Sequence, residues 1–186
     1  LLANQVPWHD AYLTPDLVAN VGYFDLENDG QFKVIGQTST WNWQMGCQLQ
    51  WLGNQDQTKA IYNIRTNDAD SRYPYFGSEI VDVQSGERRT LPLPAYVAAS
   101  NGQWALSVDY RRLYITHETI GYPCDRFKPE LENCPNDDGI MHMDLNTGEV
   151  KLAVSYADLA QFHPRESMRK AIHWVSHIEI NPSNAR

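Results

Sequence analysis

The stretch GIMHMDLNTGEVKLAVS, residues 139–155, decides how the chain is read. Met141, Met143 and Leu145 alternate with His142 and Asp144, the period-2 pattern of a half-buried strand. Asn146-Thr147-Gly148 then supplies turn residues that accept positive φ. Val150 to Ser155 resumes an extended pattern, so the segment predicts a β-hairpin with an aspartate at the end of its first strand. The pattern occurs twice more, in VGYFDLENDGQFKVIG (21–36) and SEIVDVQSGERRTLPLP (78–94). Asp25, Asp82 and Asp144 mark the three copies, spaced by 57 and 62 residues.

Other strand pairs lie between these hairpins. CQLQWLGNQDQTKAIYNIR (47–65) predicts one, turning at residues 54–58, and AYVAASNGQWALSVDY (95–110) another, turning at Ser100-Asn101-Gly102. HWVSHIEINPSNAR (173–186) begins a third, with its turn at residues 181–184. A pair followed by a hairpin makes a four-stranded antiparallel unit, and repetition of that unit is the mark of a β-propeller. The repeat exceeds the roughly 40–45 residues of a WD40 blade. The excess falls in two insertions. THETIGYPCDRFKPELENCPNDDG (116–139) reads as a long loop, the kind of segment that often carries function. SYADLAQFHPRESMRKAIHW (155–174) reads as two short helices, capped by Ser155 with Asp158 three residues on and broken at Pro164. The expectation is an all-β chain, 1–186, forming one β-propeller region with short helices between blades and incomplete at both ends. The alternative is a small open β-meander with helices.

Composition excludes several classes. With 186 residues the chain can build a real core, and a net charge of −8 argues against a nucleic-acid partner, which needs clustered Lys and Arg. No apolar run approaches the roughly 20 residues of a membrane helix. Leu1-Leu2-Ala3-Asn4 lacks the features of a signal peptide, and the missing Met suggests a start upstream. The three cysteines form no metal-binding Cys-x-x-Cys pair; Cys124 and Cys134 are spaced to bridge only in an oxidising compartment, and isolated thiols are the expectation. Cys47 reads as a small buried hydrophobe. No nucleotide-binding loop, Gly-x-Ser-x-Gly elbow, His-Glu-x-x-His helix or catalytic triad is present.

The candidate site residues fall into three groups. WNWQMGCQLQWLG (41–53) packs three tryptophans and three glutamines into thirteen positions. Some of these fill the wedge between sheets. Trp41 and Trp43 on one face, with Asn42, Gln44 and Gln48 beside them, also suit a sugar ring and its hydroxyls. In DYRRLYITHETIGY (109–122), Arg111 or Arg112 is placed to clamp a carboxylate, with His117 and Tyr122 alongside, against the simpler reading of an Arg–Asp pair fixing the loop. His173 and His177 share one face and are candidate metal ligands. Asn136-Asp137-Asp138-Gly139 lacks the spacing of a known calcium loop and reads as a turn.

Taken in order, TSTWNWQMGCQLQWL, AIYN, ALSVDYRRL, GYP, DDGIMHMDLNTGEVKLAVS and HWVSHIEINP resemble a bacterial group of seven-bladed propellers, similar to the oligogalacturonate lyase and TolB-like propellers. In those lyases a divalent metal, typically manganese, sits in the central channel on histidines and a glutamine and helps to acidify the proton beside a uronate carboxylate. The resemblance implies a role of this kind for His177, near the start of an inner strand, with further histidine ligands downstream. It implies a carbohydrate-active or carbohydrate-binding propeller whose ligand is an oligosaccharide or other small molecule, possibilities that extend to a metal-assisted lyase acting on acidic oligosaccharides, with Arg111, Arg112 and His117 at the chemistry. A non-catalytic propeller that displays loops to protein partners is the alternative.

Overall fold

The computed structural model describes residues 1–9, 12–53, 58–66, 70–124 and 131–181. The turns expected at 54–58 and 181–184 lie, but for residues 58 and 181, outside the described residues. The chain is mostly β. β1 (Leu2–Gln5), β2 (Ala19–Phe24) and β3 (Phe32–Thr38) form one sheet. β4 (Gln50–Leu52), β5 (Lys59–Arg65), β6 (Phe76–Asp82) and β7 (Arg88–Leu91) form a second. β8 (Val97–Ala98), β9 (Trp104–Ser107), β10 (Gly139–Asp144) and β11 (Val150–Ser155) form the third. Within each sheet consecutive strands are antiparallel neighbours. Two short helices, α1 (Tyr110–Thr116) and α2 (Tyr156–Gln161), and a 3-10 turn at Glu166–Met168 complete the architecture. No helix among the described residues is long and apolar enough to cross a membrane.

All three expected hairpins form, and their turns share one device. Asp82 Oδ1 accepts from the backbone N–H groups of Gln84 and Ser85, both at 3.0 Å, and Asp144 Oδ1 accepts from those of Asn146 and Thr147, both at 2.8 Å. Gly86 and Gly148 then close their turns at φ 76° and 79°, where a side chain would be strained. The first hairpin turns on Asp25 in a looser version: its Oδ1 accepts from Glu27 N alone at 3.3 Å, its Oδ2 from the Asn28 amide, and Gly30 follows one residue later.

The second sheet is the middle layer. Its β5 is buried from Ala60 to Asn63, so both faces are covered. Ile61, Ile80 and Leu91 pack with Ala105, Met141, Met143 and Leu145 of the third sheet and its turn. Ala60, Tyr62 and Val81 pack with Ala19, Val21 and Ile35 of the first. Side chains also tie the layers through hydrogen bonds. Thr38 Oγ1 donates to the Asn63 carbonyl at 2.7 Å, and the Asn63 amide pairs with both backbone groups of Ala95 at 2.7 and 2.8 Å. Gln50 makes the same kind of link, accepting from Ala98 N at 2.8 Å and donating to the Tyr96 carbonyl. Gly36 lets sheets one and two approach, because a Cβ there would collide with the Tyr62 hydroxyl.

Two expectations are corrected and two are met. Residues 171–181 are not in a strand; among the described residues no neighbouring backbone forms a ladder with them, and His177 sits at φ 56°, a conformation no strand accommodates. The expectation of isolated thiols is met: Cys47, Cys124 and Cys134 form no disulfide. Part of the region beyond β9 is helical: Asp109 caps α1 by accepting from Arg111 N, a short side chain offering an acceptor to an orphan helix N–H. The expected capping of α2 does form, as a full capping box between Ser155 and Asp158.

Candidate functional site

The first part of the tryptophan-rich stretch, residues 41–48, is folded into turns, and only its end, Gln50–Leu52, enters strand β4. Gly46 at φ 59° and Gln48 at φ 54° reverse the chain, and Asn42 and Gly46 bridge to each other. The alternation of faces expected for a strand is therefore lost. Asn42 is buried and fully engaged: its Oδ1 accepts from Gln44 N and Met45 N, and its Nδ2 donates to the Ile120 carbonyl at 3.1 Å. Trp41 is buried and donates to Asn4 Oδ1 at 3.0 Å. Gln48 Nε2 lies 3.4 Å from Met45 Sδ. Gln44 and Trp43 face outward, and Trp43 is 50% exposed with its ring edge-on to Trp41 at 4.8 Å.

Trp43 opens onto a cleft of about 200 Å³ with Tyr12, Leu13, Tyr114, Glu118, Thr119 and Pro123. Tyr114 lies on α1 and Glu118 four residues on, just past the helix end, so helical spacing brings the two together. Tyr12 and Tyr114 both donate to Glu118 Oε1. The bond to the Glu118 carboxylate holds the Tyr12 phenol above its ordinary pKa. This combination of apolar ring faces and a fixed polar group is the composition of a small-ligand site. Tyr12, Tyr114 and Glu118 are absent from the expected site residues. The Tyr114–Glu118 spacing was a usable signal, whereas the approach of Tyr12 and Trp43 is tertiary.

The second expected group is divided by the structure. Tyr122 has no exposure; it stacks on Tyr110 at 4.1 Å and 12°, and its hydroxyl accepts from Asn63 Nδ2. Arg112 is 2% exposed. Its guanidinium donates to the carbonyls of His173 at 2.6 Å, Glu132 at 2.7 Å and Asn133 at 3.1 Å, and lies 4.4 Å from the Tyr156 ring centroid. Arg111 pairs with Asp109 at 3.3 Å. These two belong to a groove of about 330 Å³ that also holds Arg72, Tyr73, Asp137 and Asp138. Burial pushes the Asp109 carboxyl above the usual aspartate value, against the pull of Arg111. Tyr73 donates to Asp138 at 2.7 Å, and Asp138 also accepts from Gly139 N, so Asp138 works as a turn anchor. His117 lies outside the groove: exposed, bonded to Thr119 Oγ1 at 3.0 Å and edge-on to Trp174.

His173 and His177 are placed apart in function. His173 Nδ1 lies 3.0 Å from the Ala171 carbonyl, and its Nε2 is buried with no hydrogen-bond partner among the described residues. His177 is exposed, with Nδ1 beside Ser176 Oγ at 2.9 Å. Among the described residues no three His, Cys, Asp or Glu side chains converge as a metal site would require. Comparison of the chain with protein-family models, with curated proteins and with solved structures gives no match.

Proposed function

We propose that this chain is part of a β-propeller that binds carbohydrate, with the cleft at Trp43 as its contact. The propeller reading is supported by three antiparallel meander sheets stacked face to face, each carrying the same aspartate-turned hairpin at its end. A seven-bladed ring is what the resemblance in sequence would imply. The carbohydrate reading rests on one observation: Trp43, half exposed, beside Tyr12, Tyr114 and Glu118 in one cleft. Aromatic faces pack against the C–H faces of a sugar while a carboxylate accepts from its hydroxyls. Titration of the protein with a panel of oligosaccharides, followed by tryptophan fluorescence and calorimetry, tests it. Binding should weaken by about tenfold or more in Trp43→Ala, the loss of one central aromatic contact. Saccharide binding that Trp43→Ala leaves unchanged would move the site elsewhere.

A lyase reaction on acidic oligosaccharides, the catalytic form of the proposal, would belong to the separate groove at Arg111 and not to the Trp43 cleft. Arg111, whose guanidinium is part-exposed in the groove beside Asp109, is the residue to hold a substrate carboxylate; Arg112 is spent on carbonyls. A manganese ion held by His177 would need ligands beyond those the described residues bring together. The non-catalytic scaffold reading draws on the exposed apolar side chains Leu26, Val34 and Phe162.

A further inference from the structure

We infer, resting on the carbohydrate reading of the Trp43 cleft, that its ligand carries a protonated amine: an amino sugar, not a uronate. Glu118 is the single charged side chain lining the cleft among the described residues. Its Oε1 accepts from both tyrosines, while Oε2 has no side-chain partner among the described residues. The carboxylate is thus held in place by two hydroxyls with one oxygen left to receive a donor. An ammonium group supplies three donors and a full charge to that oxygen. The flanking faces of Trp43, Tyr12 and Tyr114 add to this, because aromatic faces attract cations and tryptophan does so most strongly.

A uronate meets the opposite field. Its carboxylate would approach Glu118 with no cation among the described lining residues to compensate. Arg65 donates to the Pro123 carbonyl but is turned onto the Phe76 ring, 5.1 Å from its centroid, and does not line the cleft. The formal net charge of −8 works in the same direction, drawing cations and repelling polyanions over a Debye length.

The test is calorimetric titration, near pH 6 and at two salt concentrations, with three oligomers of equal length: glucosamine, N-acetylglucosamine and galacturonate. Wild type, Glu118→Gln and Trp43→Ala are compared. Gln keeps the acceptor for both tyrosines and removes the charge. Wild type should bind the glucosamine oligomer about tenfold more tightly than its acetylated form, and Glu118→Gln should bring the two within about threefold, as expected for one ion pair beside an aromatic platform. Equal affinity for both forms, or tightest binding of galacturonate, with Trp43→Ala abolishing it, would overturn the amine and leave the carbohydrate site standing. Glucosamine binding that survives both substitutions is attraction to an acidic surface and also overturns the inference. Failure of all three oligomers to bind would remove the carbohydrate reading with it.

Discussion

Arg112→Met separates a structural arginine from a substrate clamp. The guanidinium is buried, and its Nε and Nη2 donate to three backbone carbonyls, two from 132–133 and one from His173. It thereby fastens the loop before β10 and the segment after α2 to helix α1. A hydrogen bond from a charged donor contributes about 1.5–3 kcal/mol net. The three are not additive, because they share one side chain and the carbonyls of exposed Glu132 and Asn133 regain water when it is lost. Methionine preserves the apolar stem but removes the guanidinium that lies over the Tyr156 ring. The expected cost is therefore about 3–4 kcal/mol, within the range for removing one partner of a buried charged contact. For a chain of this length that corresponds to roughly 6–16 °C in Tm. Urea unfolding and calorimetry read the loss directly, and Arg112→Lys, a point donor without the fork, should fall between wild type and Met. Saccharide affinity at the Trp43 cleft should not change under native conditions. A loss below about 1 kcal/mol, accompanied by lost ligand binding or activity, would refute the reasoning and return Arg112 to the role of a clamp.

Two further outcomes follow from local electrostatics. Asp25, Asp82 and Asp144 are all held below the ordinary aspartate value of 3.8: Asp25, at about 2, first by Lys33, and the other two first by backbone N–H groups of their turns. A depressed folded-state pKa stabilises above the unfolded value and loses that contribution as pH falls through the folded one. Urea midpoints should accordingly drop as pH is lowered from about 4 towards 2, with a shallower drop in Asp82→Asn plus Asp144→Asn; a double variant with an unchanged acid limb would contradict the shared turn device. Cys47, buried and pushed up to about 12 chiefly by desolvation, should resist alkylation at pH 8 in the folded protein. Cys124 and Cys134, unbridged and only partly buried, should react, and mass spectrometry showing native labelling at Cys47 would mean that the layer between the first two sheets opens.

The all-β class was legible in sequence because its signals are local. Alternation in β10, the Asp-to-Gly turns and the Ser155–Asp158 capping box depend on residues a few positions apart, and the structure bears each of them out. The cleft was legible only in part. Trp43 was named from its neighbours, but Tyr12 comes from a distant loop and Tyr114 and Glu118 from the end of a helix. Alternation misled where glycine and left-handed backbone broke it: Asn42 and Trp41 turned inward, and His177 left the strand geometry. Composition likewise could not separate an arginine that meets a ligand from one that staples carbonyls. Residue type and spacing determine what a segment is able to form. Which polar groups are left over for a ligand depends on which ones the packed layers have already satisfied, and that is decided only when distant segments meet.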